Sequence, residues 1–149
     1  MMRLSRKTAL ALEAVLDIAY NARPDPVQAR DITARQGIPQ RYLEQILQRL
    51  VRERVLRGVR GPRGGYTLAR ERRRVTLGEV VRAVQTLDAE DEASASAAQL
   101  GEKVIAPLWE EIETDILRRF DAITMEDLCR QARARGIPRA DGTLADFAI

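Results

Sequence analysis

Arg41, Gln45, Gln48 and Arg52 stand at i, i+4, i+7 and i+11, with Arg49 beside them, so on a helix they would form one polar row. Guanidinium and carboxamide groups in such a row donate hydrogen bonds to phosphate oxygens and to base edges, and they make or break no covalent bond. Further on, Val59-Arg60-Gly61-Pro62-Arg63-Gly64-Gly65-Tyr66 sets two arginines in a loop of glycines, where the backbone could lie close to another surface. Each pattern alone also fits a plainer reading, a solvated helix face or a mobile turn. Their succession along the chain gives them weight.

Covalent catalysis is hard to place. The sequence has no His and a single Cys, Cys129. Within one chain this excludes Ser-His-Asp and Cys-His nucleophile systems, the usual His/Cys zinc sites and any disulfide framework. A lone cysteine reads first as a small buried apolar residue. Carboxylates are plentiful, but none sits in an apolar stretch that would raise its pKa, so no enzyme is expected. Residues 1–75 hold 17 Lys and Arg against 7 Asp and Glu, whereas residues 76–149 hold 8 against 15. A basic half joined to an acidic half is expected where one part meets a polyanion and the other does not. No apolar run approaches the roughly 20 residues that span a bilayer, and no signal-peptide pattern opens the chain; a cytoplasmic protein without membrane contact is expected.

These residues need elements to hold them. With 149 residues, 45% of them apolar and only 4% aromatic, the chain can build a small, mainly α domain plus an oligomerisation element. Ser5 suits the N-cap of a first helix with Ala11, Leu12, Val15, Ile18 and Ala19 inward, ending at the turn Asn21–Pro26. A short helix is expected from about Val27 to Gln36, with Ala29 and Ile32 inward and Gly37 as a left-handed C-cap. Gly37-Ile38-Pro39 turns into a third helix, about Gln40 to Arg54, whose Leu43, Ile46, Leu47 and Leu50 oppose the polar row. Val55–Arg60 and Tyr66–Ala69 read as short strands around the glycine loop. Helix, turn, helix and hairpin in this order make a winged helix.

Arg70 to Arg74 forms a basic turn, either solvated or near a flanking phosphate. Thr76-Leu77-Gly78-Glu79 reads as a capping box opening a fourth helix with Val80, Val81 and Val84 inward. The Asp, Glu, Ala and Ser composition of Leu87 to Glu102 reads as a loop. From about Val104 to Ile123, Ile105, Leu108, Trp109, Ile112, Ile116 and Phe120 share one stripe, and Pro107 is acceptable in the first turn. Such a helix packs against its twin in a dimer or, alternatively, against its own core. Thr124-Met125-Glu126-Asp127 caps a last helix bearing Leu128, Cys129 and Ala132, stopped by Gly136 and Pro138. The division expected is a DNA-binding domain over 1–86, a loop over 87–103, dimerisation helices over 104–135 and a loose tail over 136–149.

Tyr42-Leu43-Glu44-Gln45-Ile46-Leu47, the glycine loop from Val59 to Tyr66 and Leu77-Gly78-Glu79-Val80 together closely resemble the Rrf2 family of winged-helix repressors and activators, the IscR/NsrR/CymR-like regulators. The resemblance extends from Met2 to about Ala132, including Leu108-Trp109 and Ile123-Thr124. It implies a winged helix-turn-helix domain with a two-stranded wing and a long C-terminal dimerisation helix. It also implies DNA contacts by Arg41, Tyr42 and Gln45 on the recognition helix and by Arg60 with the wing through Gly61, Arg63, Gly64, Gly65 and Tyr66. Glu44 resembles a residue tied to sequence discrimination, and Gln40 and Arg49 complete the expected set. Pro39 and Arg41 replace small hydroxyl residues of a well-known relative, so the target sequence does not carry over.

Iron-sulfur members of the family hold their cluster with three Cys, and commonly a His or an acidic residue, between the fourth helix and the dimerisation helix. Here Leu87 to Pro107 has neither Cys nor His. The two Cys129 thiols of a dimer fall short of the roughly four ligands a cluster needs, so no cofactor and no metal are expected. The expected function is a homodimeric regulator, a repressor, on a near-palindromic stretch of double-stranded DNA with half-sites roughly 34 Å or a multiple apart. The alternative is a protein-interaction module of the same fold that signals through a partner enzyme or regulator. A protein partner or a small-molecule effector near Leu87 to Glu102 also remains open.

Overall fold

The computed structural model describes residues 5–22, 25–88 and 98–142. Its elements are α1 (Arg6–Asn21), α2 (Ala29–Gln36), α3 (Gln40–Arg52), β1 (Leu56–Val59), β2 (Gly65–Leu68), α4 (Leu77–Asp88), α5 (Ala106–Asp121) and α6 (Met125–Ala134). A 3₁₀ turn at Arg72–Arg74 precedes α4, and a π-helical turn at Gly101–Ile105 runs into α5.

Helix α1 forms the centre of the core. The Ser5 hydroxyl accepts the Thr8 N–H at 3.2 Å and closes its first turn. Ala11, Ala14, Val15 and Ile18 are fully buried against the neighbouring helices. The buried Asp17 carboxylate accepts two bonds from Arg35, at 2.9 and 2.8 Å, and one from Gln36 at 2.8 Å. Three donors replace the water this carboxylate lost, so burial there is tolerated and α2 is fixed on α1. The same bond to Asp17 raises the pKa of Arg35.

Gly37 ends α2 at φ 66°, as its position after the last inward residue predicts. In α3 the row Leu43, Ile46, Leu47 and Leu50 is buried, each side chain contributing about 1.5–3 kcal/mol. That row fixes which side of α3 is left outside. The helix stops at Arg52 because Arg54 takes a left-handed conformation, φ 62°. The Val55 N–H then bonds Leu50 O at 2.9 Å and the Arg54 N–H bonds Val51 O at 3.0 Å, a Schellman closure on a residue other than glycine.

β1 and β2 pair antiparallel, Leu56 opposite Leu68 through Val59 opposite Gly65. Val27, expected to open the second helix, belongs instead to this sheet. It exchanges backbone bonds with Tyr66 at 3.0 and 2.7 Å. Its partner lies far along the chain, which local periodicity cannot register.

The C-terminal part differs from expectation in four ways. First, α6 gives one face to the protein's own core: Met125 and Cys129 are fully buried around α1. Its capping box is present, with Asp127 N–H to Thr124 Oγ1 at 3.1 Å and Thr124 N–H to Asp127 Oδ2 at 3.0 Å. Leu77 N–H to Ile123 O (2.9 Å) and Met125 N–H to Val75 O (2.8 Å) tie it to the start of α4. Second, only half of the Thr76 box forms. Thr76 Oγ1 accepts the Glu79 N–H at 3.2 Å, while the Glu79 carboxylate turns to Arg70.

Third, the expected loop over 87–103 is helical at both ends, since α4 continues to Asp88 and helix resumes at Gln99; residues 89–97 lie outside the described residues. Pro107 is the second residue of α5, in its first turn as expected, although a π-helical turn already leads into that helix. The Ala106 N–H reaches back to Gly101 O, and this widened turn accommodates a ring and a missing N–H that would break a regular helix. Fourth, the tail is tied down where it leaves α6. The Tyr20 hydroxyl donates to Ile137 O at 2.5 Å, Arg139 Nε to Tyr20 O at 3.1 Å, and the Ala140 N–H to Asn21 Oδ1 at 2.8 Å. Residues 143–149 lie outside the described residues. Among those described, no helix is long and apolar enough to cross a membrane.

Candidate nucleic-acid interface

Because α3 buries its leucine and isoleucine row, Gln40, Arg41, Tyr42, Glu44 and Gln45 are all exposed on its other side. Arg41, Tyr42 and Gln45 line one shallow depression. Gln40 Nε2 donates to Glu44 Oε1 at 3.2 Å across one turn, holding both side chains over the helix.

At the wing tip Arg60, Gly61, Pro62 and Arg63 are exposed. Gly61 has φ 111°, a conformation that L side chains rarely adopt. Gln28, just ahead of α2, donates its side-chain N–H to Pro62 O at 3.4 Å, so the tip is held from the helix-turn-helix side. Gly64 and Gly65 also allow a close approach of backbone within the chain itself. A Cβ at Gly64 would stand 2.2 Å from Val59 O, and one at Gly65 2.4 Å from Val27 O. These contacts are within the chain. Tyr66 is half-buried and packs against the core, with its backbone given to Val27. Gly64, Gly65 and Tyr66 thus build the wing, while Arg60, Gly61 and Arg63 present it.

Arg49 also separates from the group. Its Nε donates to Ala83 O of α4 at 3.2 Å and its Nη2 pairs with Glu53 at 2.8 Å. At i+8 from Arg41 it sits at the edge of the polar row nearest α4, and it fastens the two helices together. The arginines of the basic turn follow the same pattern: Arg70 pairs with Glu79, Arg72 with Glu126 at 3.1 Å and Arg73 with Glu71 at 2.7 Å. Among the described residues none of the ion pairs involves Arg41, Arg52, Arg60 or Arg63. Arg49, Arg70, Arg72 and Arg73 are thus paired within the protein, whereas Arg41, Arg52, Arg60 and Arg63 face solvent, as do Arg30, Arg54, Arg57, Arg74 and Arg119 outside the expected site.

Sequence reading missed Arg6. Its guanidinium lies 5.8 Å from the centroid of the Tyr42 ring, which brings the first turn of α1 beside the exposed row of α3. The available signal was a cation directly after an N-cap serine.

The second exposed feature is α5. Ile105, Leu108, Trp109 and Ile112 are 58, 51, 46 and 37% exposed, whereas Ile116 and Phe120 are half-buried toward the end that meets α4. At that end Arg82 grips Asp121 with two bonds, Nη2 to Oδ2 at 2.9 Å, and holds the carboxyl pKa below its usual value. Gly78 leaves the space this requires, since a Cβ there would lie 1.8 Å from Asp121 Oδ1.

A polar recognition helix beside a basic wing, both with uncompensated arginines, defines a winged helix-turn-helix protein of the DNA-binding class. Residues 4–131 match the sequence profile of the Rrf2 family, described as "Iron-dependent Transcriptional regulator". The chain is 33% identical over 156 residues to the HTH-type transcriptional regulator IscR of Salmonella paratyphi B, covering 97% of this chain and 95% of that one. The solved structure of T. potens IscR matches with TM-score 0.72 at 27% identity over 94% of this chain and 95% of the other. CymR (YrzC), the global cysteine regulator of B. subtilis, shares the fold with TM-score 0.67 at 24% identity, covering 88% and 98% of the two chains. The chain belongs to the Rrf2 family: it is a DNA-binding transcription regulator and not an enzyme.

Proposed function

We propose that the protein is a cytoplasmic homodimeric repressor that grips a near-palindromic operator without an iron-sulfur cluster. Arg41, Tyr42 and Gln45, with Gln40 and Glu44 beside them, enter the major groove, where carboxamide and guanidinium groups match base-edge patterns. Arg60 and Arg63, carried on the turn at Gly61, reach the backbone and the narrow minor groove. The observation that carries this reading is the division of the arginines, because uncompensated charge at the tip and on α3 awaits a polyanion. The apolar row of α5 supports the second copy. A patch containing an exposed tryptophan and several aliphatic side chains is covered best by its own twin about a two-fold axis. Two recognition helices then read half-sites about one helical turn, roughly 34 Å, or a multiple apart, and occupancy of a promoter suffices for repression.

The family's description names iron, but the donors present do not fit a cluster. Leu87 to Pro107 supplies neither thiolate nor imidazole, and Cys129 is fully buried in α6. The signal that releases the operator therefore enters by another route. Gel-shift titration on the promoter of the protein's own operon, at rising salt, tests the regulator reading. Preference for that DNA over unrelated duplexes is expected, and equal weak binding to every duplex would sink it. An iron-sulfur absorption band in the purified protein would overturn the cluster-free part.

A further inference from the structure

The first turn of α1 holds two neighbouring cations with different surroundings. Lys7 Nζ donates to Leu87 O, near the end of α4, at 3.3 Å. Arg6 is exposed and has no carboxylate partner among the described residues, and the contact it makes is with the face of Tyr42 at 5.8 Å. No acidic residue stands in this turn. A cation at the positive end of a helix dipole is disfavoured. Lys7 meets a carbonyl that offsets this, whereas among the described residues Arg6 lies over the ring of Tyr42, which is itself exposed on α3.

Stacking on an aromatic ring orients a guanidinium while leaving its N–H donors free at the rim. The adjoining residues Arg41 and Gln45 line the depression that contains Tyr42, so whatever anion borders the groove entered by α3 comes within reach of Arg6. We infer that Arg6, held over Tyr42, is a binding residue for a DNA backbone phosphate flanking the major-groove contact. The first turn of α1 is thereby a third point of grip besides α3 and the wing. This inference rests on the proposal that α3 enters the major groove. Its chemistry differs from that of the base readers. A phosphate contact adds affinity on every sequence equally and does so through counterion release.

The experiment is a salt titration of binding by the full-length protein, using its operator and an unrelated duplex, for the wild type, Arg6→Ala and Arg6→Lys. Each lost phosphate contact lowers the slope of log K against log salt by about 0.9, and at 0.1 M salt this corresponds to about an eightfold loss per protomer. Arg6→Ala is expected to show this loss on both duplexes, with the preference between them unchanged. Arg6→Lys is expected to keep most of the slope. Thermal melting of each variant, expected to match the wild type because Arg6 is exposed, separates lost contact from lost fold. An unchanged slope in Arg6→Ala overturns the inference, as does a loss confined to the operator, which would make Arg6 a support for base reading. The regulator reading is judged separately, by whether the wild type prefers its operator at all.

Discussion

In α3 the apolar row of Leu43, Ile46, Leu47 and Leu50 lies inside, at most 1% exposed, whereas in α5 and the turn leading into it Ile105, Leu108, Trp109 and Ile112 lie between 37 and 58% exposed. Both helices carry an apolar stripe at the same spacing and a charged opposite side. The difference lies in their company. α3 faces α1, α4 and the sheet, so its stripe is consumed by folding and its polar side is left to solvent. Among the described residues, α5 is fastened near its end by Arg82 to Asp121 and the packing on α4. Its apolar side is left to act. An amphipathic pattern therefore says that a helix has two faces, and the neighbours decide which one stays outside.

The sharpest way to break this comparison is to change one large apolar residue in each row. Leu47→Ala is expected to lower the stability of the fold by about 2–5 kcal/mol through a cavity in the core, measured by urea or thermal unfolding. On α5, Trp109→Glu is expected to leave the helical circular dichroism of the folded chain in place and to weaken dimerisation by about 2–4 kcal/mol. Sedimentation would then show monomers at micromolar concentration. A variant that remains dimeric would remove α5 from the interface.

A smaller effect is expected on DNA. Arg60→Ala should cost about 1–3 kcal/mol of binding, whereas Cys129→Ala, a change inside the core, should leave DNA affinity unchanged in the same gel-shift series. The reverse pattern would point to a thiol-dependent switch. Smaller again, Arg54→Gly should raise stability by about 0.5–1 kcal/mol, because glycine adopts the left-handed conformation without the Cβ strain that arginine bears there. Chemical denaturation midpoints would reveal it. The mildest expectation concerns pH. The Asp127 carboxyl is held below its usual pKa by the Thr124 backbone N–H first and the Thr124 hydroxyl second. A depressed folded pKa contributes stability that is complete above the unfolded value, about 3.9, and is lost as pH falls through the folded one. Melting temperatures followed downward from pH 5 should fall more steeply for the wild type than for Asp127→Asn.

What the sequence revealed follows the reach of each signal. The rows on α3 and α5, the Ser5 and Thr124 caps and the Gly37 stop depend on residues within a turn or two, and they are where the spacing places them. Val27 was read as helical because its sheet partner, Tyr66, is distant in the chain. Arg49 looked like its neighbours in the polar row, and only the approach of Ala83 from α4 shows that it is a fastening. Gly64 and Gly65 signalled a close approach correctly, but the surface approached is the chain's own. That Met125 and Cys129 of α6 pack in the core around α1 has no local signal either. Pro107 lies in the first turn of α5 as its type predicts, while the π-helical turn before it has no periodic signal of its own.

The bridge from Val27 to Tyr66, with Gln28 reaching Pro62, makes the wing and the helix-turn-helix behave like the two jaws of a calliper locked at one opening. A hinge between them would let each jaw find its own groove, but here the rivet sits immediately before α2. The duplex is the softer object, and its willingness to narrow or bend varies with the base steps between the jaws. Selectivity can therefore arise from stretches of operator that no side chain touches, graded by how readily they yield to a fixed span.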